Sequence, residues 1–126
     1  MRNIFYKITI KGKLDDLNTY ISAERSHRQK GAEMKRINTE IVEWQTKNLE
    51  PVKHYPLHVH ILWFTKDERI DADNVAFAKK YILDGLVRSG VIKDDNRKHI
   101  KSFSDEFAVD KNERAEITLT YKRSSV

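Results

Sequence analysis

Cysteine is absent from this 126-residue chain, so no disulfide can staple it and no thiolate can hold a metal. The fold must rest on ordinary packing, and a reducing, cytoplasmic setting is expected. No run of 18 apolar residues occurs, which removes the usual signature of a membrane-spanning helix. The start, MRNIFYKITIKGK, alternates like a strand and lacks the basic segment followed by a continuous apolar stretch that marks a secretory signal. Proline and glycine are scarce, two and four residues, so each acts as punctuation. Pro51 and Pro56 bracket a connection, Gly31 is the expected break between two helices, and Gly90 is placed to end a third. There is no internal repeat, low-complexity tract or interdomain linker.

What is present suits one domain over residues 1–126, long enough for a single core and too short for two. An apolar content of 39% is low yet above the sparse composition of disordered chains. Basic residues exceed acidic ones by 24 to 19, giving a net charge of +5 and a pI near 9.4. That balance favours a polyanionic partner through counterion release. The excess is concentrated: Arg25, Arg28, Lys30, Lys35 and Arg36 face only Glu24 and Glu33 over residues 23–36, with His27 and Gln29 interleaved. This stretch reads as a phosphate-contacting, DNA-binding surface; the plainer alternative is a solvated helix face.

Periodicity supplies the elements. Ile4, Tyr6, Ile8 and Ile10 alternate with Lys7, Thr9 and Lys11 in a first strand, and Leu57, Val59, Ile61 and Trp63 alternate with His58, His60, Leu62 and Phe64 in a second. Both faces of the second strand carry apolar residues, which predicts a central position. Between them, Asp15 and Asn18 suit helix starts in a region without strand character. Val75, Ala78, Ile82, Gly85 and Leu86 share the face of one helix over 74–89, after which Val91 and Ile92 dock. Residues 97–109 and 115–122 read as an antiparallel hairpin about Lys111, Asn112 and Glu113, and the tail Arg123–Val126 as frayed. The expected class is α/β (α+β), a single small domain with a mixed sheet of about four strands packed with helices.

Asp71 and Asp73 stand at i and i+2 between a strand and a helix, so in an extended turn their side chains point the same way. Paired carboxylates repel unless a cation neutralises them, which makes a Mg²⁺ (or Mn²⁺) site of hard oxygen ligands a natural reading. Helix capping by Asp73 or Asn74 is the alternative. A second pair, Asp94-Asp95, follows the helix and can complete a three-carboxylate site only if the chain doubles back. Otherwise it is a polar turn. His58 and His60 lack a third ligand and read as solvent-facing or phosphate-facing.

The ordered combination Asp71-Ala72-Asp73-Asn74, Lys80-Tyr81-Ile82-Leu83-Asp84-Gly85-Leu86, Gly90 and Asp94-Asp95 resembles the RusA family of phage-associated Holliday-junction resolvases. Leu17 to Ile21, Lys35-Arg36 and Phe103 to Glu106 resemble its Gram-positive phage branch. The resemblance implies a RusA-like mixed α/β fold, a homodimer, branched DNA such as a four-way junction as substrate, and Mg²⁺ as cofactor. Its metal-binding acids fall on Asp71, Asp73 and Asp95, and its functional lysine on Lys80. The family's lysine stands closer to the second aspartate; here it comes seven residues after Asp73. Seven residues return to the same helical face about 20° off, whereas Lys79 would lie about 120° away. A surface ladder of Lys80, Asp84 and Arg88 is the alternative.

The reaction so implied is metal-assisted hydrolysis of DNA phosphodiesters in recombination and repair, with Asp71, Asp73, Asp95 and Lys80 as catalytic residues. Two symmetric cuts need two sites, hence a twofold dimer. Trp44 and the final pair of strands are candidates for its interface. Two rivals remain at this level: a non-catalytic nucleic-acid-binding module, and a phosphoesterase acting on nucleotides.

Overall fold

Leu57, Val59, Ile61 and Trp63 are buried while the residues between them are half-buried, so the alternation read in the second strand is realised as one face turned to the core. In the computed structural model, which describes residues 4–121, that strand is β2 (Leu57–Thr65). The other elements are β1 (Ile4–Lys11), α1 (Leu17–Ser26), α2 (Arg28–Thr46), α3 (Ala72–Ala76), α4 (Lys79–Arg88), β3 (Ile100–Val109) and β4 (Arg114–Tyr121). The sheet runs β1-β4-β2-β3, with β4 antiparallel to both β1 and β2, and β3 parallel to β2. This is the α+β domain with a four-stranded mixed sheet, and β2 is interior as expected. Residues 123–126, read as a frayed tail, lie outside the described part, as does the side chain of Ile4. Among the described residues no helix is long and apolar enough to cross a membrane.

The expected hairpin of the last two strands does not form. β4 lies between β1 and β2, and β3 takes the edge beyond β2. Ala115, Ile117 and Leu119 of β4 are buried almost completely, whereas Phe103, Phe107 and Val109 of β3 are exposed. Asp110 to Glu113 carry the chain over the end of β2, anchored by the Asp110 N–H donating to the Thr65 carbonyl at 2.9 Å. Because β2 and β3 are parallel, a crossover must join them, and α3 with α4 supply it.

The helices cover one face of the sheet. Val42 of α2 and Tyr81, Ile82 and Leu86 of α4 pack with Ile8, Ile10, Val59, Ile61, Ile117 and Leu119. Two boundaries differ from expectation. The break between α1 and α2 falls at His27, whose ring accepts from the Gln29 N–H, while Gly31 sits inside α2. Gly31 serves closeness: a Cβ there would stand 3.2 Å from Glu24 Cβ of α1. Asp16, rather than Asp15 or Asn18, caps α1 by accepting from Thr19 N–H at 2.8 Å, and Asp15 is paired with the buried Asn38.

The helix expected over 74–89 is two. Ala78 N–H donates to Val75 O and Lys80 N–H to Phe77 O, tightening the ladder to i−3 bonds and separating α3 from α4. Val75, Ala78, Ile82, Gly85 and Leu86 nevertheless share the inward side, and Gly85 lets α4 meet α2, since a Cβ there would lie 2.5 Å from Val42. Gly90, at φ +82°, ends α4 as expected: its N–H reaches Val87 O while Val91 N–H reaches Leu86 O.

Tyr81 places its hydroxyl in this core with no hydrogen-bond partner. Burial, reinforced by the carboxylates of Asp15 and Asp16, pushes the phenol up from 10.0 to about 12. An unpartnered buried hydroxyl costs free energy, so Tyr81→Phe is expected to match or exceed the parent's stability, by up to about 1 kcal/mol in denaturant melts. The unfolded phenol ionises near pH 10 and the folded one near 12, so the unfolded state binds fewer protons in that window. Stability contributed by this group therefore falls as pH rises from 10 to 12, and the variant should lack that component. A clear loss of stability at neutral pH in Tyr81→Phe would contradict the assignment.

Candidate functional site

Asp71 occupies the N-cap position of α3, and its carbonyl accepts from Asn74 and Val75 N–H groups, but its carboxylate makes no capping bond. The Asp73 carboxylate accepts from Asn74 N–H at 3.0 Å. Both side chains are exposed at the end of the crossover that leaves β2. Capping therefore does not account for Asp71. Its side chain lines a shallow cleft with Glu68, Val75, Phe107 and Val109.

After Gly90 the chain docks Val91 and Ile92 and then runs back along α4, the reversal that the second acidic pair requires. The two acids divide their work. Asp94 builds the turn, accepting from Asp95 N–H at 2.7 Å and from the Asn96 side-chain amide at 3.0 Å. Asp95 instead turns its carboxylate to Lys80, 3.6 Å away, and Lys80 also reaches Asp84 at 3.1 Å. The hydrogen bond to Asp84 holds the Lys80 ammonium above the usual lysine value, with Asp95 adding to the effect, so it is cationic at every physiological pH. No protein-family model matches the chain, and no curated protein does.

Asp84 and Asp95 line one wall of a cleft of about 360 Å³ between α2 and α4, and Lys35, Arg36 and Arg88 line the rest. Arg36 is oriented by Glu33 and Glu40 on its own helix, Arg88 by Glu43 at 3.2 Å, and Lys35 lies over the Tyr20 ring at 5.4 Å. Of the five basic residues singled out in sequence, Lys35 and Arg36 thus line the same cleft as Asp84 and Asp95. Arg25, Arg28 and Lys30 are exposed further along, about the junction of α1 and α2. Lys80 and Asp95 are brought together. Asp71, Asp73 and Asp95 are not gathered with one another: among the described residues no group of three or more His, Asp or Glu side chains is arranged to hold a metal.

Helical phase from Asp73 does not decide between the two lysines, because α3 and α4 are separate. Their surroundings differ. Lys79 donates to Asp105 of β3 at 2.7 Å, both groups being about one-fifth exposed, and the other Asp105 oxygen accepts from the Trp63 indole at 2.8 Å. Lys79 also lies over Phe103 at 4.6 Å. That pairing joins residues 26 apart and has no local signal in sequence. His58 and His60 likewise differ from expectation. They are half-buried on the sheet face away from the helices and hydrogen-bonded to Ser102 and Ser104 of β3, with His60 also reaching Glu106 at 3.0 Å.

Proposed function

We propose that this chain is a metal-dependent endonuclease that hydrolyses phosphodiesters in branched DNA, such as a four-way junction. In this reading it acts as a homodimer in the cytoplasm of a bacterial or phage-infected cell. The observation that carries the reading is the α2–α4 cleft, where the phosphate-binding candidates Lys35 and Arg36 share a surface with Asp95, and Asp95 with Lys80. A polyanion drawn to the basic wall would meet the acid and the fixed cation at once.

Asp71, Asp73 and Asp95 offer hard oxygen donors of the kind Mg²⁺ or Mn²⁺ prefers; the first two are exposed, and Asp94 rather than Asp95 is committed to the turn. For these three acids to hold the ion, Asp95 would have to be drawn from Lys80 toward Asp71 and Asp73, with which it is not gathered among the described residues. When bound, the ion supplies an activated water and neutralises phosphate charge. Lys80 stabilises negative charge on the phosphate as the bond breaks, a task for a cation fixed by neighbouring carboxylates. Arg25, Arg28, Lys30, Lys35 and Arg36 hold the DNA backbone, and Arg88 joins them.

A second reading, a non-catalytic nucleic-acid-binding module, is favoured by the pairing of Asp95 with Lys80 apart from Asp71 and Asp73. Labelled four-way junction and matched linear duplex, each incubated with purified protein with and without Mg²⁺, separate the two. The expected result is paired incision of the junction only with the metal, the linear duplex remaining intact. Tight junction binding without incision in either Mg²⁺ or Mn²⁺ would establish the binding module instead.

A further inference from the structure

The two edges of the sheet are unlike. β1 presents exposed Lys7, Thr9 and Lys11, charged and polar residues that keep an open edge from pairing. β3 is ten residues long and presents Phe103, Phe107 and Val109, which are 46%, 44% and 53% exposed. These three stand in register with Val59, Trp63 and Thr65 and so lie on the face that the helices cover. The apolar layer between sheet and helices therefore runs out to the β3 edge and stops there, open to water. Trp44, although 66% exposed, is covered by Lys47 at 3.3 Å and offers no such continuity.

We propose that the β3 edge is the surface on which two copies of this chain pair, strand against strand in antiparallel fashion about a twofold axis at Asp105. The strand is self-complementary in that register. Phe103 then meets the partner's Phe107 on either side of the axis, and Ser104 meets the partner's Glu106, keeping apolar residues opposite apolar ones on the core side. The two Asp105 carboxylates face each other at the axis, a repulsion offset because each is already bound by Lys79 at 2.7 Å and by the Trp63 indole. Phe107 and Val109 also line the cleft that contains Asp71. The result is an eight-stranded sheet with a closed apolar layer and only the lysine-bearing β1 edges free.

This inference names the interface of the dimer invoked above and stands apart from whether the chain cuts DNA. The absence of native cysteine makes the test direct. With Ser102→Cys and Ala108→Cys in one chain, mild oxidation should give a covalent dimer. Each single variant should give none, because the same residue on the two strands would stand about 20 Å from its mate. Phe107→Lys should sediment as a monomer where the parent is a dimer, with an unchanged thermal melt showing that the exposed position is not needed for folding. A parent that sediments as a monomer at micromolar concentrations overturns the proposal. So does a dimer that the double variant fails to cross-link. A cross-linked dimer that leaves junctions intact in Mg²⁺ supports this surface and defeats the nuclease reading, whereas a nuclease whose subunits do not join at β3 does the reverse.

Discussion

If the proposed nuclease reading holds, Asp73→Asn is expected to leave the fold and junction binding in place and to lower cleavage in Mg²⁺ by at least about 10²-fold, the scale of loss when one preorganised electrostatic group is removed from a reacting phosphate's surroundings. The side chain is exposed and its one hydrogen bond is accepted from the adjacent Asn74 N–H, a bond that an amide oxygen can also accept. Folding therefore loses almost nothing. What disappears is a negative charge beside Asp71, and with it one of the hard oxygen donors proposed for the ion. Binding to the junction should hold or tighten, since one source of repulsion toward phosphate is gone. Single-turnover cleavage alongside binding in Ca²⁺ or EDTA reads both quantities. Near-normal turnover in the variant would remove Asp73 from the site.

Lys80→Ala and Lys79→Ala are expected to fail in different ways, although the residues are neighbours. Lys80 is exposed and holds only Asp84 and Asp95 at the cleft, so its removal should depress cleavage by about 10²-fold with the melting temperature nearly unchanged. Lys79 is mostly buried against Asp105 and Phe103, so its removal leaves a carboxylate with one donor fewer. That loss should cost roughly 1–3 kcal/mol of stability. Cleavage by Lys79→Ala, measured below its melting temperature, should stay within about tenfold of the parent. If Lys79→Ala is instead the inactive and stable variant, the roles assigned to the two lysines are exchanged.

Much of the framework was legible because period-two and helical patterns leave an imprint on local sequence. Alternation in residues 57–63 and 115–121 emerged as buried and half-buried faces, and Gly90 took the positive φ that ends α4. The errors share a cause. Gly31 reads as a break because glycine is flexible, yet here its value is the missing Cβ against Glu24, a contact between two helices. The split between α3 and α4 falls at Phe77 and Ala78, neither of which interrupts a helix by itself. The two final strands sit on either side of β2, an order set by pairing with β1 and β2 across long stretches of chain and not by the short connection that favours a hairpin.

The candidate site divides along the same line. Residue type and spacing drew attention to Asp71 with Asp73, to the Asp94-Asp95 pair and to the basic run through Lys35 and Arg36, whereas the choice of Asp95 and of Lys80 came from the resemblance to the RusA family. Sequence also required the chain to double back if the second acidic pair was to matter. Only the tertiary structure decided that Asp94 makes the turn and Asp95 meets Lys80, that Lys79 is tied to Asp105, and that Arg88 completes the cleft. Those outcomes depend on contacts between segments far apart in the chain, settled by how α2, α4 and the edge strand pack, and packing of that kind leaves no periodic trace in the residues that take part.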